Sequence, residues 1–192
     1  HAGYDSQKFH GIAIGDNAGY YNQHVFSIAI GEDAGRLAQQ QRAVAIGIGA
    51  GLQSQGSRAI AIGQEAGMQS QGSLAIAIGY HSGLQSQGAN AVAIGYHAAR
   101  YSQGTNSIAI GKMAGMTNQA ENSIALNASG SAFSPATHGF YAAPVRNITQ
   151  TTVLGYDTTN NEITYYTASS GGTTLTNGTN YSNIIHWDHS TY

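Results

Sequence analysis

The chain has 192 residues, no cysteine, 8% charged residues and a formal net charge of −2. Without cysteine, neither a disulfide framework nor a thiolate metal site is available. The low charge provides no electrostatic footprint for nucleic acid, and no apolar run approaches the roughly 18 residues that cross a bilayer. We therefore expect no cofactor, no nucleic-acid partner and no membrane insertion.

Residues 1–10 form an N-terminal segment before the first recognised repeat. The segment reads HAGYDSQKFH and has neither an initiator Met nor the apolar core of a signal peptide. We interpret it as a cut or processed end of a longer chain.

A 16-residue repeat occupies residues 11–127, with seven complete units and a truncated eighth. After a small residue, each unit places Ile or Val, then Ala, then Ile or Leu, and in seven of the eight units Gly follows. Side chains alternate across a strand, so the aliphatic pair faces one way and the Ala faces the other. The pattern predicts a short strand that ends at a Gly with positive φ, with Asn127 taking that place in the last unit.

The second half of each unit predicts a return strand and a polar turn. Its apolar segment is Ala-Gly-Leu or Ala-Gly-Met in the middle units, as at Ala50–Leu52. Gln occupies the thirteenth position of every complete unit, at Gln23, Gln39, Gln55, Gln71, Gln87, Gln103 and Gln119. Since an amide both donates and accepts, stacked Gln side chains predict a ladder along the molecule.

Two short strands and two turns per unit predict an all-β parallel solenoid of about eight coils, spaced by about 4.8 Å. We expect the aliphatic pair to fill the coil and the Ala to face outward, where a small residue allows close approach by another chain. The aliphatic burial of so thin a coil falls well short of its conformational entropy cost. The prediction is therefore an obligate oligomer packed through the Ala face.

The repeat period fails after Asn127. Residues 128–139 are small and polar and predict a connector, and residues 140–192 predict a β-rich C-terminal module. Predicted strands in that module are Phe140–Asn147, Thr151–Tyr156 and Ile163–Tyr166, with a turn over Asp157–Glu162.

Two aromatic-imidazole pairs occupy the same turn in adjacent coils. They are Tyr80 with His81 and Tyr96 with His97, which stacking places about 5 Å apart on the outer edge. Rings on a rigid face suit carbohydrate binding, and several copies would add avidity. Ordinary variation of an exposed turn is the alternative interpretation.

The C-terminal end carries a third candidate binding residue, Trp187, which could stack on a sugar ring. Its neighbours His186, Asp188 and His189 are possible metal ligands, but alternation along a strand turns such residues to opposite faces. The alternative is that this segment packs against its mates in an oligomer. We predict no metal site and no catalytic residue, because the carboxylates are scattered and form no repeated pair.

The repeat resembles the head repeat of trimeric autotransporter adhesins. The resemblance lies in the stretches SIAIGEDAG, AIAIGQEAG and SIAIGKMAG, at Ser27–Gly35, Ala59–Gly67 and Ser107–Gly115. It implies a left-handed parallel β-roll in which three chains pack around one axis. The unit here is longer than the common adhesin unit, as in the head-like repeats of bacteriophage tail fibres and large-virus fibre proteins.

A second resemblance covers GFYAAPVRN, VLGYD and EITY, at Gly139–Asn147, Val153–Asp157 and Glu162–Tyr165. These stretches are similar to a module that follows repeat shafts in phage and giant-virus fibres. The resemblance implies a structural, non-enzymatic homotrimeric fibre that attaches to a host glycan or receptor from the virion surface or another extracellular surface. The alternatives are a bacterial adhesin head and, with carboxylates meeting across subunits, a polysaccharide-degrading tail spike.

Overall fold

The computed structural model describes residues 1–145 and 152–167. The chain divides into two compact units, His1–Val145 and Arg146–Tyr192. Every regular element in the described ranges is a β-strand. The first unit is a parallel solenoid of about eight coils, so the predicted all-β architecture is confirmed.

Two parallel sheets form the walls of the solenoid, one of nine strands and one of five. The nine-stranded sheet contains β1 (Ile12–Ile14), β2 (Ile28–Ile30), β3 (Val44–Ile46), β5 (Ile60–Ile62), β7 (Ile76–Ile78), β9 (Val92–Ile94), β11 (Ile108–Gly111), β13 (Ser123–Asn127) and β14 (Gly139–Ala143). The five-stranded sheet contains β4 (Gln53–Gln55), β6 (Gln69–Gln71), β8 (Gln85–Gln87), β10 (Tyr101–Gln103) and β12 (Thr117–Gln119). Each strand pairs with the equivalent strand of the next coil, as when Ala61 pairs with Ala77.

Tight turns with left-handed backbone close each coil. The Gly that ends each strand has positive φ as predicted, and at Gly79 φ is +122°. A Cβ on Gly79 would lie 2.8 Å from the carbonyl oxygen of Gly95 in the next coil, so only glycine allows this stacking distance. Asn127 differs from the prediction because it continues β13 as extended strand.

The Ala of each strand points into the coil, so the prediction of an outward Ala face is wrong. Ala61, Ala77 and Ala93 have no exposed surface within a single chain, whereas the aliphatic residues on either side of them are partly exposed. Beside the strand alanines the coil has no room for a larger side chain, since a Cβ added at Gly83 in the facing turn would lie 3.2 Å from the Cβ of Ala77. The Ile and Val side chains therefore form the outer surface of the nine-stranded sheet.

The return strand consists of polar residues, and not of the predicted Ala-Gly-Leu segment. Residues 50–51 belong to a turn, and β4 begins after them at Gln53. The last Gln of each return strand points inward and is buried. Its Nε2 donates to a carbonyl of the opposite sheet, as from Gln87 to the oxygen of Ile76 at 2.8 Å.

The predicted Gln ladder is present, and it lies inside the coil. Nε2 of one Gln donates to Oε1 of the next from Gln71 to Gln87, from Gln87 to Gln103 and from Gln103 to Gln119, at 3.1 to 3.3 Å. The same contact joins Gln39 to Gln55 at 3.1 Å. The amides thus satisfy buried carbonyls of one sheet and connect neighbouring coils.

The solenoid extends beyond both ends of the predicted repeat domain. At the start, Asp5 forms a parallel bridge with Tyr21, which lies one repeat later. At the other end, β14 pairs with β13 so that Gly139 faces Ser123, also one repeat away. Phe133, in the segment predicted as a connector, bridges to Ala114 and packs on the core.

The second unit contains an antiparallel hairpin of β15 (Thr152–Asp157) and β16 (Glu162–Thr167). Tyr156 pairs with Ile163, as the predicted strands and turn require. The Asp157 carboxylate accepts from the backbone N–H of Thr159 at 2.8 Å and from Nδ2 of Asn160 at 2.8 Å. These hydrogen bonds lower the pKa of Asp157 below its ordinary value.

Candidate functional site

The predicted pairs Tyr80–His81 and Tyr96–His97 lie in corresponding turns after β7 and β9. The backbone N–H of His81 donates to the Gln64 oxygen at 3.0 Å, and that of His97 donates to the Tyr80 oxygen at 3.0 Å. Both histidines have left-handed backbone, with φ of +53° and +55°. The turns are therefore held in register by hydrogen bonds between coils, and the structure brings all four rings together.

The four rings form two layers. Tyr80 lies over His81 with ring centroids 3.8 Å apart, and Tyr96 lies over His97 at 3.9 Å. Those distances require face-to-face contact. The tyrosines are 40% and 45% exposed, whereas His97 is only 9% exposed. Tyrosine thus forms the outer layer and histidine the inner one.

The tyrosine layer runs along the axis of the solenoid. The two Tyr centroids are 5.5 Å apart with ring planes 11° from parallel, and the two His centroids are 5.2 Å apart. Tyr80 is 5.6 Å from His97. Tyr80 is therefore much closer to its own histidine, His81, than to the histidine of the next coil. Each tyrosine therefore covers its own histidine and lies beside the other tyrosine, with its outer face uncovered by either imidazole.

Glu65 supports the inner layer, and sequence reasoning missed it. Its Oε2 lies 2.8 Å from Nε2 of His81. Glu65 stands one repeat before His81, so the repeat spacing itself was a signal that the two side chains would be neighbours. The contact fixes the orientation of the His81 ring beneath Tyr80.

His97 is the most buried ionisable group of the cluster. Burial, with smaller contributions from the nearby Arg100 and His81, lowers its pKa below the ordinary value of 6.5. Its Nε2 is buried and has no hydrogen-bond partner among the residues that the structure describes. The inner layer thus favours a neutral imidazole at His97.

Polar side chains lie at both ends of the tyrosine pair. The equivalent turn position is occupied by Gln64 in the preceding coil and by Lys112 in the following one, and both are exposed. The backbone N–H of Met113 donates to the Tyr96 oxygen at 2.9 Å. This hydrogen bond holds the turn that contains Lys112 in register with the turn that contains Tyr96. The resulting surface has two aromatic rings flanked by an amide and an ammonium group.

The third predicted binding residue, Trp187, lies outside the described residues, as do His186, Asp188 and His189. Within residues 1–145 and 152–167, no group of three or more His, Cys, Asp or Glu side chains is arranged to hold a metal ion. No helix in those ranges is long and apolar enough to cross a membrane.

A second surface of interest is the outer side of the nine-stranded sheet, which we call the aliphatic face. Its members are partly exposed aliphatic side chains that flank the strand alanines, namely Ile12, Ile14, Ile28, Ile30, Val44, Ile46, Ile60, Ile62, Ile76, Ile78, Val92, Ile94, Ile108, Ile110, Ile124 and Leu126. Parallel register places them in two continuous rows along the solenoid. Near its end, a shallow apolar recess of about 460 Å³ lies between Ile110, Leu126 and Pro144.

Comparison of this chain with protein-family models, curated proteins and solved structures found no significant match.

Proposed function

We propose that the chain is a rigid segment of a homotrimeric surface fibre, in which three solenoids pack through their aliphatic faces. The observation that supports this proposal is the aliphatic face itself. Its two rows of side chains run from β1 to β13 without a polar residue. A contiguous apolar surface of this length is typical of a protein interface.

A second copy of the same chain is the partner that fits this surface. The face repeats one motif once per 16-residue coil, so equivalent rows from several copies meet with matched periods. The chain has only 8% charged residues, and no charged side chain interrupts either row. The number three comes from the resemblance of the SIAIG repeats to those of trimeric adhesin heads.

The proposed interface is the aliphatic face and not the Ala face that the sequence predicted, but the expected homotrimer is the same. The Ala side chains fill the interior of each coil, whereas the aliphatic residues are available to another subunit. Assembly would bury two additional aliphatic side chains per coil in each chain, which supplies the stabilisation that a thin coil lacks.

A rod with a non-enzymatic attachment role is the function that this architecture supports best. The fibre would be presented on a virion or another extracellular surface, and its receptor would be a host glycan or protein. The resemblance of VLGYD and EITY to viral fibre modules favours a phage or viral fibre over a bacterial adhesin head. Within residues 1–145 the coils are short and filled mainly by Ala and Gln, which suits a rigid support.

Sedimentation equilibrium of matched variants tests the assembly. The triple change Ile62→Lys, Ile78→Lys and Ile94→Lys places charges in the centre of the aliphatic face, and we expect it to abolish the trimer. The control is Gln53→Lys, Gln69→Lys and Gln85→Lys, at positions on the outer surface of the opposite sheet. A trimeric Ile variant, or a wild-type chain that is monomeric when folded, would contradict the proposal.

A further inference from the structure

We propose that Tyr80 and Tyr96 form a stacking platform for two consecutive pyranose rings of an extended, equatorially linked glycan that runs along the solenoid. This inference rests on the proposed attachment function, because it names the chemical class of ligand that the fibre would bind.

The platform presents aromatic faces to solvent. The inner face of each tyrosine ring is covered by a histidine at 3.8 or 3.9 Å, yet the two residues remain 40% and 45% exposed. The exposed surface therefore belongs to the outer faces and the edges, including the hydroxyl groups. An aromatic face is the surface on which the apolar C–H side of a pyranose ring stacks, while the phenolic hydroxyl reaches a polar neighbour.

The spacing of the two rings suits a linear polymer. Their centroids are 5.5 Å apart along the solenoid, which is about the length of one pyranose residue in an extended chain. Their planes are 11° from parallel, so two successive sugar rings meet similarly oriented surfaces. A flat ribbon such as a β-1,4-linked chain satisfies both conditions, whereas a coiled α-1,4-linked chain does not keep successive rings in line.

Polar groups stand where the sugar hydroxyls of such a chain would lie. The Gln64 amide and the Lys112 ammonium group occupy the same turn position as the tyrosines, one coil before and one coil after. Both side chains are exposed and have several hydrogen-bond donors. A chain stacked on both tyrosines thus reaches an amide in one direction and an ammonium group in the other.

The platform is already rigid without a ligand. The imidazoles support both tyrosines, and the Glu65 carboxylate holds His81 at 2.8 Å. Backbone hydrogen bonds of 3.0 Å from His81 to Gln64 and from His97 to Tyr80 fix the turns that carry the rings. Binding therefore orders few protein groups, which favours affinity for a weakly interacting ligand.

Glycan is favoured over single-stranded nucleic acid, which also stacks on aromatic rings. Nucleic acid needs a positively charged groove along its backbone. This chain has seven Lys and Arg residues against nine Asp and Glu, and Glu65 lies within the cluster itself. A neutral glycan does not need a positively charged groove.

The test measures binding of cellohexaose, chitohexaose and maltohexaose to the full chain by isothermal titration calorimetry. The variant is Tyr80→Gln with Tyr96→Gln, because Gln64 shows that the repeat accepts glutamine at this turn position. The control is Tyr101→Gln in β10, where the equivalent residues of β4, β6 and β8 are glutamines.

We expect the wild type to bind at least one of the two β-1,4-linked hexasaccharides and not maltohexaose. The double variant should lose about tenfold or more in affinity at an unchanged melting temperature, whereas the control should bind as the wild type does. The inference is overturned if neither β-1,4-linked hexasaccharide binds, if the double variant binds normally, or if only an oligo(dT) probe binds in place of the sugars.

The same samples separate this inference from the proposed assembly. A trimeric wild type that binds no hexasaccharide would overturn the glycan platform and leave the fibre proposal standing. A monomeric wild type whose hexasaccharide binding depends on the tyrosines would overturn the trimeric assembly and support the glycan platform.

Discussion

Gln71 donates through Nε2 to Oε1 of Gln87 at 3.1 Å inside the coil. Gln87 in turn donates to the Ile76 oxygen at 2.8 Å and to Oε1 of Gln103 at 3.1 Å. One side chain therefore connects the two sheets of a coil and two neighbouring coils. This relationship explains why Gln recurs at the thirteenth position of every complete repeat, in a core that consists mainly of alanine.

Replacement of Gln87 by Leu should strongly destabilise the solenoid. The change removes the donor to Ile76 and the acceptor for Gln71, and each buried group left without a partner costs about 1–3 kcal/mol. Thermal unfolding followed by circular dichroism measures the effect. The matched control is Gln85→Leu in the same strand, whose side chain is exposed. Equal melting temperatures for the two variants would show that the ladder contributes nothing.

The inward orientation of Ala77 predicts that enlarging it is more damaging than altering its neighbour. Ala77→Leu places a large side chain against the turn at Gly83 and should destabilise the fold by about 1–3 kcal/mol or more. Ile76→Leu conserves volume on the outer surface and should change stability by less than about 1.5 kcal/mol. Chemical denaturation of both variants measures the difference. A tolerated leucine at position 77 combined with a damaging one at position 76 would reverse the assignment of the two faces.

The period, the parallel stacking and the positive φ at Gly79 were predictable, because the same residue types recur every 16 residues without insertion or deletion. The inward direction of Ala77 was not, since alternation establishes only that Ala77 and Ile78 point to opposite sides. Which side is the interior depends on the width of the coil, and that width depends on turns whose left-handed residues include His81 and Leu74.

The ends of the solenoid were predictable in principle. Gly3 and Gln7 stand one repeat before Gly19 and Gln23, which is a signal that the repeat phase includes the first ten residues. The two-layer order of Tyr80 over His81 was not predictable, because the repeat specifies which turns are neighbours but not how side chains stack within one turn. The contact between Glu65 and His81 could have been predicted from the 16-residue spacing alone.

The Gly79 position should not accept alanine. In Gly79→Ala the new Cβ meets the Gly95 carbonyl, so we expect a loss of stability well above the ~1 kcal/mol typical of a glycine substitution. Gly49→Asn is the control. Its turn position holds Asn17 in the first repeat with φ of +51°, and a Cβ at Gly49 meets only the Glu65 side chain at 3.4 Å. A Gly79→Ala variant that melts with the wild type would show that coil spacing does not depend on this contact.

His97 should make the solenoid sensitive to acid. Its folded-state pKa is lowered by burial, by Arg100 and by His81, so the unfolded chain takes up the proton first as the pH falls below the ordinary value of 6.5. The stability associated with neutral His97 is therefore present above that value and is lost as the pH falls through the folded-state pKa. The Glu65 carboxylate contacts His81, the neighbouring imidazole of the inner layer.

Melting temperatures between about pH 8 and about pH 5 test this effect. We expect His97→Asn to reduce the loss of stability on acidification, because Asn occupies the same turn position at residue 17 and does not titrate. A variant with the same pH profile as the wild type would assign the acid sensitivity to other groups.

Cross-linking at adjacent residues of β7 tests the proposed interface most directly, since the 192 residues contain no other cysteine. Ile78→Cys places a thiol on the aliphatic face, and Ala77→Cys places one inside the coil. With a short bis-maleimide reagent under native conditions, we predict covalent links between copies for Ile78→Cys and none for Ala77→Cys. Circular dichroism must show both variants to be folded. In folded protein, links from Ala77→Cys alone, or from neither variant, would contradict assembly through the aliphatic face.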